Sequence, residues 1–187
     1  QLVLKNMNYD ILFAIMAVQE VVFFASIAKR LRDEEGLSVA FLTFHEAGDD
    51  ILEKEGMPYF SLHKIKRQVE QKDYADISLS RIEERLKNKI KELIVHEMLT
   101  ANRQDEAFLH NKVIQYYAMI DKIFKENNIN CVVQELGGFI APQLLYYISR
   151  YHNINHVFIE PAMFPKRIVF TLNRLYADID EYDDRVL

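Results

Sequence analysis

Short, nearly continuous apolar runs alternate along this chain with longer segments whose apolar residues recur every three or four positions. A short apolar run without polar alternation is typical of a strand that is buried on both faces of a parallel sheet. A three-and-four recurrence is typical of an amphipathic helix. The runs that we predict to be strands are 10–18, 38–44, 57–62, 129–134 and 155–160.

This order of strands and helices predicts an α/β fold: a three-layer Rossmann-like parallel sheet with helices on both faces. The first unit is the clearest. A helix over 20–35 ends at Gly36, which suits a left-handed C-terminal cap, and the next strand follows at once. Crossovers of this kind between parallel strands are right-handed.

The middle of the chain interrupts this regular order. Residues 64–76 are rich in charge without a clear period, which predicts an exposed excursion. Two long helices follow, one with its apolar stripe over 79–94 and one from Asp105 to about Asn127. The predicted organisation is one Rossmann-like domain over 1–176, its two-helix excursion at about 77–127, and a linker or trimmed end over 177–187.

Composition excludes several classes of protein. The 187 residues carry a formal net charge of -5, so we expect no basic surface and no nucleic-acid partner. The single cysteine, Cys131, cannot close an internal disulfide, which favours the cytoplasm. The apolar run over 11–28 approaches the length of a membrane span, but Gln19 and Glu20 lie in its middle, which favours a strand followed by a helix.

The loops exclude the most familiar nucleotide and metal sites. A dinucleotide site needs glycines in the turn after the first strand, whereas this chain has Ala17-Val18-Gln19-Glu20 there. The sequence has no Walker A loop, no Cys/His set at zinc-binding spacing and no Gly-x-Ser-x-Gly elbow. We therefore expect neither a cofactor nor a metal ion.

The candidate site consists of the polar residues that directly follow the strands, because ligands of open parallel α/β sheets bind beyond the carboxyl ends of the strands. These residues are Gln19 and Glu20 after the first strand, His45 after the second, Glu135 with Gly137 and Gly138 after the fourth, and Glu160 after the fifth. We expect Glu135 and Glu160 to face one common cleft.

Each candidate has a functional and a structural interpretation. Glu135 can orient sugar hydroxyls or accept a proton, because a partly desolvated carboxylate has a raised pKa, or it can bond backbone N–H groups of the next turn. His45 can act as a base, contact a phosphate or cap the next helix. The backbone at Pro161 directs Glu160, whereas the position of Glu20 favours a carboxylate at a helix N-terminus.

Two further features suggest contacts with an anion. The Gly137-Gly138 turn precedes a helix that begins near Pro142, and the N–H groups of a helix N-terminus attract negative charge. Lys166 and Arg167 follow a proline, where they can contact a phosphate or an acidic sugar, or can belong to a solvated loop.

The last third of the sequence resembles a signature of capsule polysaccharide biosynthesis proteins. The similar residues are the ten from His156 to Pro165, then 167–171 and Asn173. In that signature a strand ends in a glutamate, a proline follows, and a threonine precedes an acidic or amide residue. The matching residues are Glu160, Pro165, Thr171 and Asn173.

The earlier segments resemble the N-terminal lobe of GT-B glycosyltransferases. They are the helix that ends in Lys29-Arg30-Leu31, Gly36 leading into 39–44, and 52–58 with its Gly56. This resemblance implies a two-lobe enzyme that transfers a sugar from a nucleotide sugar to a glycan acceptor. The present chain corresponds to the acceptor-side lobe, and a C-terminal lobe that binds the nucleotide is implied outside it.

The resemblance also implies a location and leaves two alternatives open. A GT-B protein of surface-polysaccharide synthesis is expected in the cytoplasm. Its association with the inner face of the membrane and its self-association are both left open. The enzymatic alternative is a nucleotide-sugar epimerase of the same architecture. The non-enzymatic alternative is a binding or assembly module whose two central amphipathic helices form a partner surface.

Overall fold

The computed structural model describes residues 6–68, 74, 76–100, 105–162 and 166–174. The strands are β1 Asn8–Ile15, β2 Val39–Thr43, β3 Tyr59–Ser61, β4 Asn128–Glu135, β5 Asn155–Pro161 and β6 Ile168–Leu172. Within the described residues they form one sheet in the order β3-β2-β1-β4-β5-β6. Strands β1 to β5 are parallel, and β6 runs antiparallel to β5 at the edge. The predicted α/β fold with its parallel sheet is confirmed.

Helices cover both faces of this sheet. They are α1 Val18–Glu35, α2 Glu46–Lys54, α3 Leu62–Gln68, α4 Leu79–Leu86, α5 Ile90–Thr100, α6 Glu106–Glu126 and α7 Ile140–Tyr151. Successive side chains of a strand point to opposite faces. In β1, Phe13 and Ile15 therefore pack with α1 and α2, whereas Leu12 and Ala14 pack with α3 to α7. The three-layer Rossmann-like architecture follows from these two apolar clusters.

Two helix ends lie where the capping residues Gly36 and Asp105 predicted them. Gly36 adopts the left-handed conformation with φ of 69°, and the N–H of Leu37 donates to the carbonyl of Leu31 at 3.1 Å. Asp105 begins α6, because its side chain accepts a hydrogen bond from the N–H of Phe108 at 3.0 Å.

The helix predicted from the stripe over 79–94 is two helices. Lys87 ends α4 in the left-handed conformation with φ of 52°, and the N–H of Ile90 at the start of α5 donates to Glu83 Oε1 at 2.9 Å. The apolar stripe continues across this break, so periodicity alone did not reveal it. The predicted two-helix excursion at about 77–127 therefore contains three helices, α4 to α6.

The apolar stripes of α4 to α6 lie in the core. Ile82 of α4, Leu93 of α5 and Leu109 of α6 are fully buried against the sheet and its neighbouring helices. These stripes are therefore not available to a partner, and the assembly alternative stays a prediction. In the described ranges, every helix is too short or too polar to cross a bilayer.

Two elements were missed by the sequence analysis. The charge-rich segment predicted as an exposed excursion begins with α3, although residues 69–73 and 75 lie outside the described ranges. Strand β6 follows directly after Arg167, and Lys166 occupies the preceding turn with φ of 62°. The predicted linker over 177–187 lies outside the described residues.

A buried histidine in β5 makes stability depend on pH. The Ser149 hydroxyl donates to the carbonyl of Tyr146, so Nδ1 of His156 donates to Ser149 at 2.8 Å, while Nε2 is buried without a hydrogen-bond partner in the described structure. Burial, together with the nearby charge of Arg150, lowers the pKa of His156 to about 3.

We expect protonation of the unfolded chain at His156 to destabilise the fold as the pH falls below about 6.5, the ordinary histidine pKa, toward the folded value of about 3. This residue alone should lower the free energy of unfolding by about 2 kcal/mol between about pH 7 and pH 5. Urea unfolding at both pH values measures the change. In the His156→Gln variant the pH dependence should shrink by that amount, and an unchanged slope contradicts the assignment.

Candidate functional site

The sheet has one point at which the direction of strand order reverses. Strand β1 lies between β2 and β4, and the chain passes from β1 to β2 on one side and reaches β4 on the other only after β3. The loops that follow β1 and β4 therefore diverge at the carboxyl edge of the sheet. In open α/β sheets the crevice between such loops is the usual ligand site.

Glu20 lies on the β1 side of this crevice, in the first turn of α1. Its side chain is buried and folds back, so that Oε2 accepts a hydrogen bond from the N–H of Met16 at 2.7 Å. Burial raises the pKa of Glu20 above its usual value, backbone hydrogen bonds from Met16 and Ala17 oppose this shift, and the charge of Glu135 adds to it. Gln19 beside it is exposed.

Glu135 lies on the β4 side of the crevice, as the last residue of that strand. It is half-buried, and its register partner in β5 is Ile159, which packs in the cluster under α1 and α2. Glu135 therefore points to the same face of the sheet as α1, where its charge acts on Glu20. We call Glu20 and Glu135 the carboxylate pair.

Glu160 does not join this pair. It follows Ile159 along β5, so its side chain points to the opposite face of the sheet, which it shares with its antiparallel partner Val169 of β6. The expectation that Glu135 and Glu160 face one common cleft is therefore wrong. Both residues lie at the carboxyl edge, but the strand pleat separates them.

His45 has the structural role that the sequence left open. It is the N-cap residue of α2, and its Nδ1 accepts a hydrogen bond from the N–H of Gly48 at 3.2 Å. In the neutral ring the proton therefore resides on Nε2. That atom is buried and has no hydrogen-bond partner within the described structure. A role as a base would therefore require His45 to give up the cap.

The two glycines after β4 are required by packing. A Cβ at Gly137 would lie 2.9 Å from Cγ of Pro142, and one at Gly138 would lie 2.6 to 2.8 Å from the ring of His96. His96 comes from α5 and also meets Phe139 edge-on, with ring centroids 5.1 Å apart. Close contacts of this turn with Pro142 of α7 and with His96 of α5 thus account for both glycines without a ligand.

The N-terminus of α7, predicted as an anion site, holds a carboxylate of the protein itself. Glu97 of α5 is buried, and its Oε2 accepts from the N–H of Ile140 at 3.4 Å while Oε1 pairs with Lys112 of α6. Sequence reasoning missed this residue. The available signal was a charge placed on the apolar stripe of a helix, since Glu97 follows Ile90 and Ile94 at helical spacing.

We expect Gly138→Ala to lower the free energy of unfolding by about 1–3 kcal/mol, because the new methyl group must displace the His96 ring. Chemical denaturation of the two proteins measures the difference. In a His96→Ala background the same glycine substitution should cost much less, because the ring is gone. An equal cost in both backgrounds would show that the contact with His96 is not the cause.

Lys166 and Arg167 lie at the carboxyl edge but not beside the carboxylate pair. They are exposed in the turn between β5 and β6, where the carbonyl of Arg167 accepts a hydrogen bond from the N–H of Ala162 at 2.9 Å. Glu20 lies next to β1, and two strands of the sheet, β4 and β5, separate β1 from β6. Their predicted contact with a phosphate or acidic sugar stays a prediction.

The charge around the crevice disfavours a phosphate there. Three helices that begin at this edge already have a side chain at the N-terminus: Glu20 at α1, His45 at α2 and Glu97 at α7. Two of the three are carboxylates, which fill the positions that would attract an anion. The exposed rim adds apolar surface from Leu136 and Phe139. An uncharged ligand with hydroxyl groups and apolar faces suits this arrangement.

The described residues include no group of three or more His, Cys, Asp or Glu side chains arranged to hold a metal ion. Comparisons with protein-family models, with curated proteins and with solved structures found no match to this chain.

Proposed function

We propose that this chain is the acceptor-side lobe of a glycosyltransferase that builds a capsule or surface polysaccharide, and that Glu135 of the carboxylate pair binds the acceptor hydroxyl. The observation that supports it is that Glu20 and Glu135 lie on the same face of the sheet, on the two sides of the point where strand order reverses. A carboxylate at such a crevice can accept a hydrogen bond from a sugar hydroxyl and then its proton.

In this proposal Glu135 is the general base. The acceptor oxygen attacks the anomeric carbon of the donor sugar, Glu135 takes the hydroxyl proton, and the nucleotide leaves with the electron pair of the broken bond. Glu20 is a positioning residue, because its hydrogen bond to the N–H of Met16 fixes the turn after β1.

The charge of this edge supports an arrangement in which the acceptor binds this lobe and the nucleotide sugar binds a second lobe. Nucleotide phosphates need helix N-termini, glycine-rich turns or cations, and the helix N-termini nearest the crevice are filled by Glu20 and Glu97. The nucleotide sugar would then be held by a second lobe, as the resemblance to GT-B enzymes implies. The partners are thus a nucleotide sugar, a glycan acceptor and that lobe.

The experiment is product analysis with the full-length protein. It is incubated with radiolabelled nucleotide sugars, each with and without surface-glycan acceptors. Label in the glycan only when the acceptor is present supports the proposal. Conversion of a nucleotide sugar to its epimer without acceptor supports the epimerase alternative, and a protein that does neither and binds no glycan contradicts both.

A further inference from the structure

The outer edge strand of the sheet is unusually apolar. Four of the five side chains of β6 are large, hydrophobic and about half exposed or more: Ile168 at 49%, Val169 at 49%, Phe170 at 64% and Leu172 at 59%. Soluble proteins usually protect such an edge with a charged residue, a proline or a very short strand. The opposite edge follows this rule, since β3 has three residues and Lys64 lies over the ring of Tyr59. Strand β6 does not.

The backbone of β6 also presents bonding groups outward. The N–H of Asn173 donates to the carbonyl of His156, and the carbonyl of Arg167 accepts from the N–H of Ala162. Residues along an antiparallel strand bond alternately to one side and to the other. Because the odd-numbered positions face β5, the N–H and C=O groups of Ile168, Phe170 and Leu172 face away from the sheet.

We propose that β6 pairs with β6 of a second copy of this chain, antiparallel and related by a two-fold axis at Phe170. This register uses all three outward-facing residues of each strand. Phe170 lies opposite the partner's Phe170, and Ile168 lies opposite the partner's Leu172. On the other face, Val169 lies opposite the partner's Thr171. An isologous contact of this kind closes on itself as a dimer.

The charge and composition of β6 suit self-pairing. Residues 168–172 include no charged side chain, so no like charges are opposed within the paired strands, although the same register sets Lys166 opposite the partner's Arg174 at each end of the contact. Aromatic, aliphatic and β-branched residues directly opposite one another are favourable cross-strand pairs, each contributing about 0.2–1 kcal/mol. A partner of opposite charge has nothing to recognise along this strand.

The size of the contact sets its strength. A stable dimer buries roughly 800 Å² on each partner, about 20–30 residues a side. The five residues of β6 offer less than that. We therefore expect a weak dimer with a dissociation constant on the order of micromolar. In this dimer the two six-stranded sheets join into one twelve-stranded sheet.

The first test is sedimentation velocity of the full chain at concentrations from about 1 to 100 µM, which bracket a micromolar dissociation constant. We expect the weight-average mass to rise from monomer to dimer. Phe170→Lys should weaken the association at least about tenfold, since it places two like charges opposite each other. The control is Val22→Lys, an equally exposed apolar position on α1, which should dimerise as the unchanged protein does.

The second test fixes the register by cross-linking in a Cys131→Ala background. Phe170→Cys places two thiols across the two-fold axis, where Cα atoms about 5.5 Å apart permit a disulfide. Leu172→Cys is the matched control, because its partner thiol is displaced by four residues, about 13 Å along the strand. We expect a covalent dimer for the first and monomer for the second. Monomer at all concentrations, or equal cross-linking of both, overturns the proposal.

Discussion

Replacing Glu135 with glutamine should reduce the rate of sugar transfer by about 10²–10⁴-fold, the usual contribution of a general base. The amide keeps the size of the side chain and can still bond a hydroxyl, but it cannot take the proton. The loss should therefore appear in kcat, with KM for the acceptor little changed. Initial rates at varied acceptor concentration measure both constants.

Two further variants test whether the loss of activity is specific to Glu135. Glu34→Gln alters an exposed carboxylate far along α1 that pairs with Arg30, and its rate should equal that of the unchanged enzyme. Glu160→Gln tests the opposite face of the sheet, where the register places that side chain. If it loses more activity than Glu135→Gln, the acceptor binds on the other face and the carboxylate pair is not the site.

Asp121→Asn should lower the free energy of unfolding by about 3 kcal/mol, because it breaks a buried charge cluster. Asp121 of α6 is 8% exposed, and it bonds Nε2 of His152 at 2.7 Å and Nζ of Lys125 at 2.6 Å. Arg85 of α4 lies 3.9 Å away. The cluster thus joins α4, α6 and the end of α7.

The same cluster predicts the direction of a pH effect. Burial acts to raise the pKa of Asp121, but the hydrogen bonds from His152 and Lys125 outweigh it and hold the pKa below its usual value. A depressed folded-state pKa gives stability that is present above the unfolded pKa and is lost as the pH falls through the folded one. Urea unfolding should show this acid loss in the unchanged protein and a smaller one in Asp121→Asn. An equal acid loss in both proteins contradicts the role of Asp121.

Much of the architecture could be predicted because it depends on local patterns. The runs of apolar residues fix the five parallel strands, and Gly36 and Asp105 fix helix ends through their own backbone and side-chain preferences. The break at Lys87 could not be seen in this way, because the buried stripe continues from Leu86 to Ile90 across it.

Strand β6 was missed for a different reason. Its residues Ile168 to Leu172 are β-branched, aromatic and aliphatic, which is a strand pattern, but the preceding Lys166-Arg167 pair favoured a loop. The antiparallel direction of β6 depends on its pairing with β5, which is a tertiary fact.

The candidate site was predicted in part. The rule for parallel sheets placed Glu20 and Glu135 at the correct edge, but the face of each side chain depends on strand register. One residue of difference along β5 moves Glu160 to the far side. His96 and Glu97 were missed because their roles come from the contact of α5 with the start of α7, which lies more than forty residues away in sequence.

In the proposed site, Glu20 and Glu135 act on each other across the crevice between β1 and β4. The most direct measurement is a ¹³C NMR titration of the glutamate carboxyl carbons. The pKa of Glu20 should lie above the usual glutamate value in the unchanged protein and fall toward it in Glu135→Gln, because one of the causes of its shift is removed. A pKa of Glu20 that Glu135→Gln leaves unchanged, or that Glu160→Gln lowers instead, would show that Glu20 and Glu135 do not form a pair.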